Sequence, residues 1–192
     1  MCAGETPALP CMQSKSEVEY IADRLGKSAR AVRAEDIAAE ISRQLDDKSI
    51  PAIYRDKILS QRTRQYELRA QAKKLRVEVL HTLLGIELKI GNRRLLCPDL
   101  ATARYLGVFA RVGCELVAVP YDITQISWIA DELESSWHRM MLLVDHFTDG
   151  RSERLRNSVR RRLLEQARVE IGELGAGAKF PEFHQSAGRR RK

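Results

Sequence analysis

The sequence predicts a mixed α+β fold, mainly α with a small β element. Three observations carry that expectation. Apolar residues recur at helical spacing through several long segments, the period switches to strict alternation over 86–90, and capping residues stand where the helices should begin. In the 192 residues hydrophobic side chains make up 44% and charged ones 31%, a composition that folds rather than one that stays disordered. Aromatics are only 6%, so Leu, Ile, Val and Ala must build most of the core.

Residues 1–14, with Pro7 and Pro10, read as a disordered N-terminus. From Ser16 the pattern becomes helical, with Val18, Ile21, Ala22 and Leu25 at i, i+3, i+4 and i+7, stopping at Gly26. A second helix is expected from Ser28 to about Leu45, on Val32, Ile37, Ala38, Ile41 and Leu45, so that 15–47 forms a helical hairpin. "DDKSIP" breaks the chain, because Pro51 disfavours helix at the residue before it.

A larger unit is expected over 50–175. It opens with one long helix from about Ala52 to Leu84, free of Gly and Pro, with Tyr54, Ile58, Leu68, Ala72, Leu75 and Val79 as a near-heptad stripe. "IELKI" then alternates, "GN" follows and "RRLLC" is apolar, so strands are read at 86–90 and 93–97 around a type II′ turn with Gly91 first. Asp99 is an N-cap for a helix from Leu100 to Val112, and Gly113 is its stop. "ELVAVP" reads as a buried strand; sharing a sheet with 93–97, it would complete a right-handed β-α-β unit. Asp122 with Gln125 opens the next helix, Ile123 to about Phe147, and a last helix runs from about Ser152 to Leu174. The Gly-rich, basic tail over 176–192 is expected to be flexible.

The stretch "YIADRLGKSARAV" resembles the helix-turn-helix family over 18–37. Ala22 takes the place of the small residue, Gly26 the turn four positions on, and Val32 the apolar residue of the second helix, with Ile21 and Leu25 packing and Ser28 capping. By that resemblance Ala29, Arg30 and Arg33 would face the major groove of DNA. Glu35 departs from the pattern, standing where an apolar residue is usual.

The chain is basic, with 33 Lys+Arg against 26 Asp+Glu, a formal charge of +7 and an isoelectric point near 9.4. Arg55, Arg62, Arg69 and Arg76 stand seven residues apart, with Lys73 on the same side. On a continuous helix they would drift only about 20° per step. Guanidinium groups about 10 Å apart suit a phosphate backbone. The last helix adds a second group that includes Arg156, Arg160 and Arg161, and arginine favours bidentate phosphate contact. The expected function is therefore nucleic-acid binding, to DNA or RNA, with the helix-turn-helix stretch pointing to a DNA-binding regulator. Single-strand stacking is not expected, because no aromatic residues interleave with the arginines. The alternative is a protein-interaction or assembly factor with a basic face, forming a homo-oligomer or meeting another protein. A small α/β enzyme using 86–147 is the third reading.

No phosphate-binding glycine loop, nucleophile elbow or H-E-x-x-H motif occurs, and no catalytic residue, metal ligand or cofactor is assigned. Asp131, Glu134, His138 and Asp145 on one helix, with Glu78 and His81 on another, are too few for a paired carboxylate–histidine metal site and read as a solvated flank. No run has the roughly 18 apolar residues of a membrane span. The N-terminus lacks the basic and apolar regions of a secretory signal, so a cytoplasmic chain is expected. Cys2, Cys11, Cys97 and Cys114 show no metal-like spacing and read as reduced thiols; a Cys97–Cys114 disulfide would need an oxidising compartment.

Overall fold

The computed structural model describes residues 33–68 and 76–178. The chain divides into two units, Met1–Arg33 and Ala34–Lys192. The helix-turn-helix stretch before Arg33, together with Arg30, Arg69 and Lys73, lies outside the described residues.

The second unit is α+β, with helices dominating and two small antiparallel sheets. Helix α1 spans Ala34–Leu45 and buries Ile37, Ala38, Ile41 and Leu45 at the spacing read from the sequence. A short helix α2, Ile50–Ile53, follows with Ser49 as its cap, and the chain continues through a single π-helical turn, Tyr54–Ile58.

The long helix expected over 52–84 does not form. Beyond the π turn the chain extends into strand β1, Thr63–Glu67, and returns as β2, Val77–Thr82. The physical reason lies in the pairing each segment finds. β1 lies antiparallel to β5, Leu116–Pro120, with Gln65 opposite Ala118. The residues of β2, with β-branched Val77 and Val79, pair along β3, Gly85–Ile90. Helix propensity was a weak guide against those non-local ladders.

The hairpin of β3 and β4, Arg93–Cys97, is as expected, with Ile90 opposite Arg93. Gly91 takes φ +58, and the only described non-glycine residue at positive φ is Asp46, so Asn92 is not at positive φ, the pattern a type II′ turn requires. The expected β-α-β unit is absent. β4 is an edge of the sheet β2-β3-β4, whereas β5 belongs to the other sheet, so the helix between them connects two sheets and forms no crossover.

That helix, α3, spans Leu100–Val112. Asp99 caps it, accepting from Thr102 N–H at 2.6 Å, and Gly113 ends it in the left-handed conformation. Nine of its thirteen residues are buried, which makes it the centre of the core and explains its nearly unbroken apolar run. It packs on β2 and β3 and on α4, Ile123–Phe147. A Cβ added at Gly107 would come 3.5 Å from Leu88, so the helix lies close against the sheet. Asp122 caps α4 through Thr124 N–H at 3.0 Å. Helix α5, Glu153–Leu174, is capped by Ser152 and buries Val159, Leu163, Ala167 and Ile171 against α1, α3 and α4. Cys97 and Cys114 are free and buried.

The C-terminal end of α5 is held by a short strap. Gln65 N–H donates to the Ala178 carbonyl at 2.8 Å, making a parallel bridge between Arg64 and Ala178 beside β1. Gly177 has φ +79, and a Cβ there would fall 2.5 Å from Thr63 Oγ1. We expect Gly177→Ala to cost about 1–2 kcal/mol from the left-handed backbone alone, and to speed hydrogen exchange of the Gln65 amide. Unchanged exchange would mean that the bridge does not hold in solution.

Candidate nucleic-acid interface

The arginine row expected on a long helix is dispersed by the strands. Arg55, in the π turn, is bound to its neighbour Asp56 at 2.7 and 3.0 Å. That pairing raises the Arg55 pKa and lowers that of Asp56, the hydrogen bond being the largest cause. Arg62 precedes β1 and stacks over the Tyr121 ring at 5.0 Å. Arg76, just ahead of β2, is 2.7 Å from Glu78. These three lie on a helical turn, in the loop before β1 and just ahead of β2, so the seven-residue spacing has no common face. Arg33 is exposed at the start of the described region.

The second group is placed by α5. Because Val159, Leu163, Ala167 and Ile171 face the core, a step of about 100° per residue puts Arg154 and Arg161 on the far side, whereas Arg168 is half-buried and near enough to Cys114 to act on its thiol. Arg154 and Arg161 are exposed and have no ion pair among the described residues. Arg168 has a long contact to Glu165 at 3.8 Å. Arg162, on the flank toward α1, is 2.7 Å from Glu35. Arg156, in the first turns of the helix, is held by Glu153 at 3.2 Å, Asp145 at 3.6 Å and Thr148 Oγ1 at 3.4 Å. It is therefore a tie between α4 and α5, with little freedom left for a ligand.

Arg160 leads to a feature that sequence spacing could not reveal. Its guanidinium stands 6.0 Å from the Trp137 ring centroid, and Arg111 from the end of α3 stands 5.9 Å from the same ring. Trp137 is itself buried in α4. Three helices thus bring two arginines to one indole, an arrangement in which the ring face offsets the repulsion between the cations. Neither arginine has a carboxylate partner among the described residues. Arg111 was not among the expected site residues; its separation of 49 positions from Arg160 hides the pairing.

The carboxylates and histidines considered for metal are used otherwise. Asp131 and Glu134 both bind Arg104 of α3, at 2.7 and 2.6 Å, and together hold its pKa above the usual value, Glu134 first. Glu78 and His81 sit on β2, three residues apart, which places them on opposite faces of a strand. Among the described residues no group of three His, Cys, Asp or Glu could hold a metal ion, and no described helix is long and apolar enough to cross a membrane. No family model matches the chain, and no curated protein or solved structure matches it.

Proposed function

We propose that this protein binds the phosphate backbone of nucleic acid through the edge of α5 that carries Arg160 and Arg161 and the adjoining end of α3. The observation that carries this reading is the convergence of Arg111 and Arg160 on Trp137, with Arg161 and Arg154, exposed and without an ion pair among the described residues, about a third of a turn away around α5. Cations held against an indole, and without a carboxylate partner among the described residues, are available to phosphate oxygens. Arg33 and the helix-turn-helix resemblance at 18–37 favour duplex DNA as the target. The free thiols of Cys97 and Cys114 accord with a cytoplasmic chain. Arg55, Arg76 and Arg156, each tied to a carboxylate, drop out of the interface.

Fluorescence anisotropy with random duplex DNA and duplex RNA tests it. Affinity should fall steeply as salt rises, and Arg160→Glu with Arg161→Glu should weaken binding at least about tenfold, with a salt slope smaller by about one per lost phosphate contact. Arg55→Glu should change affinity less than about twofold. Equal losses in the two variants, or no binding at low salt, would remove the proposal. Should Arg30→Ala and Arg33→Ala weaken a selected site more than random duplex, the DNA-reading version holds.

A second reading, a protein-interaction or assembly factor, is favoured by the β2–β3 hairpin. Leu83 is fully exposed at its tip, with Leu84 80% and Leu96 65% exposed nearby. Light scattering of the wild type and of Leu83→Glu with Leu84→Glu decides it: a complex that dissociates in the variant supports assembly, and a monomer in both removes it.

A further inference from the structure

The turn between α1 and α2 and the facing surfaces of α4 and α5 enclose an open cavity of about 200 Å³. Its floor is apolar, built from Leu45, Ile50, Met140, Leu163 and Ala167, all buried. Its polar lining comes from Ser42, Ser49, Ser136, Gln166, Asp46 and Glu170. The Ser136 hydroxyl is occupied, donating to the Lys48 carbonyl at 2.6 Å. Ser42 Oγ donates to Gln166 Oε1 at 3.3 Å, and Gln166 Nε2 donates to Glu170 Oε1 at 3.0 Å. That chain orients Glu170 and leaves its other oxygen without a partner among the described residues.

The charge of this lining runs against that of the protein. In a chain with a formal charge of +7, the two charged residues lining the cavity, Asp46 and Glu170, are both acidic. Glu35, Asp56, Glu78, Glu87, Asp131, Glu132, Glu134, Asp145, Glu153 and Glu165 each meet a Lys or Arg. Asp46 and Glu170 do not among the described residues, a property they share with Asp36, Asp47, Asp99, Glu115, Asp122, Asp149 and Glu173; they differ from those in lining the cavity. Two uncompensated carboxylates over an apolar floor define a complementary ligand: a compact hydrocarbon body with a cationic end.

We infer that this cavity binds a small primary amine whose hydrocarbon part lies on Leu45, Met140, Leu163 and Ala167 and whose ammonium group donates to Asp46 and Glu170. A dry cavity of about 150 Å³ admits a benzene ring, so the volume suffices for one ring or a short alkyl chain with its aminomethyl group. A bare metal ion fits poorly, since only two carboxylates line the cavity and no group of three His, Cys, Asp or Glu among the described residues could hold one. The few polar groups fix orientation while the apolar surface supplies most of the contact, as in other small-molecule sites.

Benzylamine and its uncharged analogue benzyl alcohol, titrated into the full chain at neutral pH and followed by ligand-observed NMR, test the inference. Benzylamine should saturate and bind at least about tenfold tighter than the alcohol, 1.4 kcal/mol at 25 °C. Asp46→Asn with Glu170→Gln should abolish that preference and leave alcohol binding within about twofold. Ala167→Met, which fills the floor, should weaken both ligands. Equal affinities in the wild type, a preference that survives the double substitution, or amine binding unaffected by Ala167→Met would each overturn it. Asp46 is exposed and Glu170 half-buried, so their substitution reads out the charge contribution even where Ala167→Met lowers stability.

Discussion

Phe109→Ala is expected to lower unfolding stability by about 3–5 kcal/mol, toward the upper part of the range for large-to-small core substitutions. Phe109 is fully buried in α3 and meets two tyrosines edge to face, Tyr54 at 5.5 Å and Tyr105 at 5.1 Å. The cost of such a cavity depends on how far the surroundings collapse, and here they are pinned. Tyr105 Oη donates to the Ala118 carbonyl at 2.6 Å, while Tyr54 Oη accepts from Ala118 N–H at 2.9 Å and donates to the Gly175 carbonyl at 2.7 Å. Neither ring can fill the void without giving up a buried hydrogen bond. Urea titration measures the effect as a lower midpoint at unchanged slope. Phe109→Leu should cost about 1 kcal/mol, as a swap of more similar volume. Should both variants shift the midpoint equally, the pinned-ring account would be wrong.

Alkaline pH should destabilise the fold well before the backbone or the arginines titrate. Burial pushes the Cys114 thiol from 9.0 up to about 12, partly opposed by Arg168. Burial likewise pushes Tyr54 from 10.0 up to about 12, its hydrogen bond from Ala118 opposing and Cys114 adding. Both groups are neutral when protonated, so below pH 9 they are protonated in the folded and unfolded chain alike and contribute no slope. Above pH 9 the unfolded thiol ionises first, and above pH 10 so does the unfolded tyrosine, while the native groups hold their protons. The unfolded state then binds fewer protons, and stability falls as pH rises, until the folded values near 12 are reached. For Cys114, buried by its exposure as well, the loss by pH 11 is on the order of 3 kcal/mol. Urea midpoints between pH 8 and pH 11 should therefore decline in the wild type and decline less in Cys114→Ala. Parallel declines would show that the thiol is not the cause.

Much of the fold was legible because helix ends are local. Asp99, Asp122 and Ser152 each cap the helix expected from it, and their bounds were set by side chains within three residues. The β3–β4 hairpin was legible for the same reason, its turn lying in two adjacent residues. What could not be read was pairing at a distance. β1 is "TRQYE", with no alternation of its own, and becomes a strand only because β5 and Ala178 lie beside it. The absence of Gly and Pro over 52–84 excluded breaks but did not supply a reason to be helical. The arginine spacing inherited that error, and Arg62 went to a tyrosine ring. On α5 the geometry was sound, and the Glu153–Arg156 pair is an i, i+3 contact within that helix, yet which other arginines are free depended on Glu35 and Asp145, which lie on other helices.

The strap beside β1 also bears on how the chain is made. Tyr54 reaches across 121 positions to Gly175, and Gln65 donates to Ala178. A nascent chain can form α3 and its caps early, but the β1 edge stays open and Tyr54 lacks one acceptor until residue 178 has left the ribosome. Until that closure the strand edge stands unpaired, the interval in which a chaperone would have something to hold.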